Sequence, residues 1–283
     1  MDLWVEECQK NIVGLKFRVV ETLFSGKSEF QQIDIVETAG HGRMLLIDSL
    51  VMISERDEFI YHDMIAHVPL FSHPAPRRVL VIGGGDGGTL REVLRHDSVE
   101  ECVMVEIDPV VVKACKQFIP QTAHAMDDPR ARVLIEDGVK FVRETNEKFD
   151  VVLVDSTDPI GPATPLFGEE FYRNVNRILE PGGIVVAQGE SPFYEMETQK
   201  AMLQRLAGVF PKTGVYNYTN LTYPGALWSF VYATNGPSLR SPEIRDRIEE
   251  AGLSCRYYNP GLHLAAFQLP TFQQELLQEW LTD

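Results

Sequence analysis

Cysteine is scarce in this chain: four residues in 283, at positions 8, 102, 115 and 255. Thiols scattered in this way suit a reduced, cytosolic protein better than a disulfide scaffold. Long apolar runs are lacking as well. No stretch approaches the roughly 20 apolar residues of a membrane span. The opening MDLWVEECQK has neither the basic flank nor the apolar segment of a signal peptide. A cytoplasmic protein without membrane attachment is therefore expected. Basic residues are in deficit, 26 against 41 acidic ones, for a net charge of −15. Such a field repels nucleic acid and draws in cations, and no Lys/Arg cluster builds the basic face that nucleic-acid binding needs. The seven histidines show neither HxxxH nor HExxH spacing, so no metal site is expected. Internal repeats and low-complexity segments are absent.

What is present is enough apolar material, 44% of the residues, for one large core or for a large domain with a small one. Residues 12–54 read as strands. Segments 16–23, 32–37 and 44–53 carry β-branched residues, partly alternating with polar ones, between Ser-Gly-Lys and Gly-His-Gly turns. A helix follows, with Ser54 and Asp57 spaced as a capping box and Phe59, Ile60, Met64, Ile65 and Val68 as an apolar stripe. Pro69, Pro74 and Pro76 are expected to end it. From residue 77 short apolar strands alternate with helices: strands at 78–82, 102–107, 133–135, 151–154 and 183–187, helices at 89–95 and 109–118. This alternation indicates a parallel, doubly wound, Rossmann-like sheet with ligands at the carboxyl ends of its strands. Late strands are expected at 215–219 and 228–234, and two short helices in the tail after Gly236. The division expected is an N-terminal β domain, 1–56, and a catalytic α/β domain, 57–283.

The strongest local signal is VLVIGGGDGGTL at 79–90. Gly83, Gly85 and Gly88 fit GxGxxG between a strand and a helix, where bare backbone can approach a ligand. A tight strand-to-helix turn is the structural alternative. Context favours a nucleotide site. Glu106 ends the second strand 21 residues after Gly85, where a carboxylate can accept from ribose hydroxyls. Asp137-Gly138 follows the third strand and Asp155 ends the fourth, so carboxylates recur along one edge of the sheet. Asp86 lies inside the glycine loop, where it opposes a phosphate and the carboxylate of S-adenosylmethionine, yet suits an ammonium. A donor with an adenosyl group, a sulfonium and a free amine fits that charge pattern best.

The fourth strand leads into DSTDPIGP at 155–162. Primary amines have pKa values near ~10, so roughly one in a thousand is neutral at pH 7. An ammonium has no lone pair with which to attack carbon. A carboxylate can bind the cation and accept its proton as attack begins. Asp155 could do this while Asp158 holds an ammonium; the alternative is that Asp158 caps a helix and Asp155 only ends a strand. Taken alone, His62, Tyr61 and Tyr223 read equally well as packing residues.

With these residues assembled, the chain resembles the spermidine synthases, most closely the bacterial ones, over nearly its whole length. The matching segments are ERDEFIYH at 55–62, GGGDGG at 83–88, VEID at 105–108, DSTDPIGP at 155–162, TYP at 222–224 and RYYNP at 256–260. The resemblance implies decarboxylated S-adenosylmethionine as co-substrate, putrescine as acceptor, 5′-methylthioadenosine as by-product, and no cofactor. It implies that Gln31, Glu106, Asp137 and Gly138 surround the nucleoside, with Pro162 beside it and Gly83 and Gly85 beneath. It further implies that Asp86 takes the donor's amine, that Asp155 accepts the proton, and that Asp158, Tyr61 and Tyr223 hold the diamine. Residues 158–165 match the family's gating loop, which closes over substrates. Many relatives carry Gln where His62 stands; an imidazole there can still contact an amine. A homodimer is implied too. A methyltransferase on the same fold and a non-catalytic polyamine- or nucleotide-binding protein are the alternatives.

Overall fold

The computed structural model describes residues 2–157 and 161–283, apart from the side chain of Pro162. Asp158 lies outside the described residues, as does part of the expected gating stretch. Five strands open the chain: β1 (Leu3–Gln9), β2 (Val13–Lys27), β3 (Gln32–Thr38), β4 (Gly42–Ile47) and β5 (Leu50–Ser54). They pair antiparallel, each with its sequence neighbour, in the order β1-β2-β3-β4-β5. The strand reading of the N-terminal segment therefore starts too late, because β1 precedes residue 12. The single strand expected at 44–53 is two, folded at Asp48 and Ser49, which both take left-handed backbone (φ 48° and 70°). A two-residue turn with both φ positive suits the twist of an antiparallel hairpin.

The helix α1 (Glu58–Ser72) follows. Ser54 does not cap it; its hydroxyl donates to Asp57 Oδ1 at 2.5 Å, and Asp57 itself is the N-cap. Nor does Pro69 end it. The helix runs one further turn, closed by Ser72 Oγ donating to the Val68 carbonyl (2.7 Å) and His73 N to the Pro69 carbonyl (2.9 Å). One backbone hydrogen bond lost at proline is tolerable in a last turn that the core holds on all sides. Every residue of α1 but Phe59 is buried, so the expected apolar stripe is instead a whole buried helix whose polar members must find partners.

Beyond it come β6 (Arg78–Gly83), α2 (Gly88–Leu94), β7 (Glu101–Glu106), α3 (Pro109–Phe118), the short α4 (Pro120–Ala123), β8 (Ala131–Ile135), α5 (Gly138–Glu144) and β9 (Phe149–Asp155). Then follow α6 (Glu169–Ile178), β10 (Leu179–Gln188), α7 (Met196–Ala207), β11 (Lys212–Thr219) and β12 (Leu227–Thr234). The tail holds three helices rather than two: α8 (Glu243–Ala251), α9 (Pro260–Ala266) and α10 (Thr271–Leu277). The second sheet has the order β11-β12-β10-β9-β6-β7-β8. Strands β6 to β10 are parallel, and β12 runs antiparallel to both β10 and β11. Helices cover both faces, so alternate strand residues enter opposite cores. Val79, Val81, Cys102, Met104, Val151 and Leu153 join one, and Leu80, Ile82, Val103, Val105, Val152 and Val154 the other. Burial on both sides explains why these strands read as continuous apolar runs.

The order of the strands reverses between β6 and β9. From β6 the chain steps outward to β7 and β8, then returns to β9 on the other side. In open α/β sheets a crevice opens at that reversal, outside the carboxyl ends of the strands. Gly83 and Asp155, the last residues of β6 and β9, are register partners there.

Candidate active site

Close approach of backbone to backbone decides the glycine loop. At Gly83 (φ +83°) a Cβ would stand 2.0 Å from the Asp155 carbonyl oxygen. The Gly84 N–H donates to that same oxygen at 2.8 Å, so the glycine loop and β9 are locked together. At Gly88 a Cβ would lie 2.0–2.4 Å from the His62 ring. The third glycine of GxGxxG thus makes room for a side chain from α1.

Asp155 lies at the centre. Its Oδ1 accepts from Tyr61 Oη at 2.8 Å and its Oδ2 from Thr89 Oγ1 at 2.7 Å. Burial, then the nearby Asp86 carboxylate, raises its pKa above the usual carboxylate range, while His62, Thr89 and Tyr61 pull the other way. Asp86 turns inward and is 8% exposed. Its Oδ1 accepts from the Gly88 N–H at 2.8 Å and stands 3.4 Å from His62 Nε2. His62 Nδ1 is 2.5 Å from Glu58 Oε2. Arg91 grips both Glu58 oxygens at 2.8 and 3.0 Å. Burial works against charge on His62, but Asp86 and Glu58 outweigh it and hold the imidazolium up to about 10. Glu58 is also buried, yet His62 and Arg91 hold it down to about 2. Burial, followed by Asp155 for Tyr61 and Asp57 for Tyr223, pushes both phenols well above their ordinary values. They remain hydrogen-bond donors. Tyr223 spends its hydroxyl on the Met52 carbonyl at 2.7 Å.

Further along the edge, Glu106 is buried and its pKa is raised to about 7, chiefly by burial. One of its oxygens accepts from the Asp108 N–H at 2.9 Å; the other faces Gly85, where a Cβ would come within 2.8 Å. Asp108 caps α3 through Val110 N (2.9 Å) and with its second oxygen takes Ser28 Oγ (2.7 Å) and Gln31 Nε2 (3.0 Å). This latch lays the β2–β3 turn of the first sheet over the crevice. Asp137 caps α5 through Val139 N at 2.8 Å and is exposed at the mouth.

Gln31, Tyr61, His62, Gly83, Gly85, Asp86, Glu106, Asp137, Gly138, Asp155 and Tyr223 all line one cleft of about 1290 Å³, open mouth included. Every described residue singled out from the sequence is therefore brought together. Asp158 lies outside the described residues; Pro162 falls in the 3₁₀ segment Gly161–Phe167, its side chain likewise outside them. Sequence reasoning missed Glu7, Glu58, Thr89, Arg91, Gln188 and Tyr218. The rule that located Asp155, a polar residue at a strand's carboxyl end, applies equally to Gln188 at the end of β10. Residues of metal-ligating type converge at Asp63, His67 and Cys255 and at His62, Asp86 and Asp155, their polar atoms within 4.8 Å of one another. Asp63 and His67, four apart on α1, share one helix face; linear spacing gives no sign of the second group. In the second, a protonated His62 has no lone pair to offer.

Comparison with known proteins agrees with this geometry. Residues 58–241 match the spermine/spermidine synthase domain, and residues 3–55 the spermidine synthase tetramerisation domain. The polyamine aminopropyltransferase of Caldicellulosiruptor bescii is 45% identical over 98% of this chain and 99% of its own. That of Clostridium tetani is 45% identical over 98% of each. A spermidine synthase solved in complex with the transition-state analogue AdoDATO superimposes with a TM-score of 0.94 at 41% identity, covering 98% of this chain and 95% of that one. The spermidine synthase of Thermotoga maritima gives 0.93 and 41%, over 98% and 94%. Fold and site define a transferase built on a Rossmann-like sheet, with a small antiparallel sheet in front of it. The chain belongs to the spermine/spermidine synthase family and is an aminopropyltransferase.

Proposed function

We propose that the chain transfers the aminopropyl group of decarboxylated S-adenosylmethionine to putrescine, giving spermidine and 5′-methylthioadenosine. The observation that carries this reading is Asp155, held by Tyr61 and Thr89 at the β6/β9 reversal, with Asp86 beside it. The amine enters as an ammonium and gives its proton to Asp155, whose elevated pKa favours acceptance. The freed lone pair attacks the carbon next to the sulfonium. The carbon–sulfur bond breaks, its electron pair goes to sulfur, and a neutral thioether leaves. No cofactor takes part.

Glu106, with Gln31, Asp137 and Gly138 around it and Gly83 and Gly85 beneath, holds the nucleoside, and Pro162 lies beside it. Asp86 takes the donor's ammonium. Tyr61, Tyr223 and Asp158 hold the diamine, and His62 contacts an amine beside Asp86. The chain works as a homo-oligomer of which a dimer is the smallest unit. Support comes from the tetramerisation-domain match and from Leu3, Trp4 and Val20 in the first sheet and Ile12 in its β1–β2 turn, all exposed by half or more. Purified protein incubated with the decarboxylated donor and putrescine should yield the triamine and methylthioadenosine on chromatography in equal amounts. Methylated product from S-adenosylmethionine at a comparable rate would instead assign a methyltransferase.

A further inference from the structure

The cleft wall holds a buried histidine set between two carboxylates, Glu58 and Asp86. His62 is fully buried, and its Nε2 has no hydrogen-bond partner among the described residues although it stands 3.4 Å from Asp86 Oδ1. A buried polar atom left so is rare and calls for an explanation. The rest of the ring cannot move. Nδ1 is tied to Glu58, which Arg91 clamps from the other side, and Gly88 lies directly against the ring.

Among the described residues, charged groups approach the ring from α1, the glycine loop, β9 and α2. From α1 there is Glu58; from the glycine loop, Asp86; from β9, Asp155; and from α2, Arg91 behind Glu58. Tyr61 and, from α3, Cys115 are neutral, since burial pushes both of their pKa values well up. Arg91 is shared between Glu58 and Glu92, so carboxylates outnumber the cations around the ring. The donor of the reaction proposed above brings a sulfonium and an ammonium. With His62 still charged, an Nε2–H would point at an N–H of the ligand. Without that proton, Nε2 offers a lone pair to the ammonium.

We propose that His62 exchanges its Nε2 proton for the ammonium of the donor, with Glu58 as the positioning residue that keeps the other proton on Nδ1. This rests on the aminopropyl-transfer reading. Written as a balance, protonated His62 and a free ammonium become neutral His62 hydrogen-bonded to a bound ammonium, and one proton passes to the buffer.

Calorimetry of donor binding at pH 7 in buffers of different ionisation enthalpy reads that proton directly. Between one half and one proton should be released per donor bound. Methylthioadenosine, which shares the nucleoside but has no charge, reports the proton that Glu106 gives up, and the donor should release at least half a proton more. Nitrogen-15 spectra of the unmodified protein should show His62 protonated on both nitrogens when free and on Nδ1 alone when the donor is bound. In E58Q the proton yield should fall and the donor Kd should rise. Tight donor binding with no proton released would overturn the exchange and leave the aminopropyl-transfer reading standing. Equal release with methylthioadenosine would also overturn it. Failure to bind the donor at all would overturn the functional reading and the exchange with it.

Discussion

At the scale of single residues the account rests on Asp155 and the two hydroxyls that hold it. Asp155→Asn keeps shape and hydrogen-bonding capacity but removes the base. Turnover should fall by ~10²–10⁴-fold, the usual size of a general-base effect. Tyr61→Phe leaves the base and removes one charge-assisted hydrogen bond, roughly 1.5–3 kcal/mol. Because that bond lowers the Asp155 pKa, its loss raises it, and the acid limb of the kcat/KM profile should move to higher pH. Rate measurements between pH 5 and 9 on the two variants separate these effects. A Tyr61→Phe limb displaced to lower pH would contradict the assigned role. The residues of the site were unevenly legible in the sequence. Asp155, Glu106 and Asp86 announce themselves because each sits in a strand or loop whose end is readable from the apolar run before it. Glu58, Thr89 and Arg91 do not, since their meaning depends on α1 lying across α2, a contact no local pattern encodes.

At the scale of elements the glycine loop and α1 form one unit. A methyl group at position 88 has nowhere to go, since it would overlap the His62 ring. Gly88→Ala should cost about 1–3 kcal/mol, as overpacking of a fixed core does, and should weaken donor binding by displacing His62 from Asp86. Urea midpoints and donor titration check both; an unchanged donor Kd would show that the ring is not held where the donor sits. The elements that were readable are those with strong punctuation. The parallel strands β6, β7 and β9 are continuous apolar runs, and Pro109 with Asp108 marks the start of α3 to the residue. The elements that were missed have weak or misleading signals. The turn at Asp48 and Ser49 has the backbone of an Asn-Gly hairpin without its residues. The turn after β1 places Lys10 and Asn11 in left-handed backbone, and lysine does not advertise that conformation. Pro69 reads as a stop only where a helix is exposed enough for its last turn to fray.

At the scale of the whole molecule the net charge of −15 becomes a statement about substrates. Attraction of a dication to an acidic cleft depends on ionic strength, because the Debye length shrinks from about 30 Å at 0.01 M to about 10 Å at 0.1 M. Salt should raise the KM of the diamine and of the doubly charged donor, while turnover at saturation changes little. Methylthioadenosine, being neutral, should bind almost independently of salt. Equal salt responses for all three would show that the acidic surface serves solubility alone.

The central claim is that the carboxylates around Asp86 select a donor bearing an ammonium and no carboxylate. A like charge set against a buried acid costs several kcal/mol, so discrimination of at least ~10²-fold is expected. The direct measurement is kcat/KM for the decarboxylated donor and for S-adenosylmethionine, with putrescine as acceptor and products identified in each case. Aminopropyl transfer from the first, at least a hundredfold faster than any transfer from the second, is the predicted result. Comparable rates from the two donors would contradict the account.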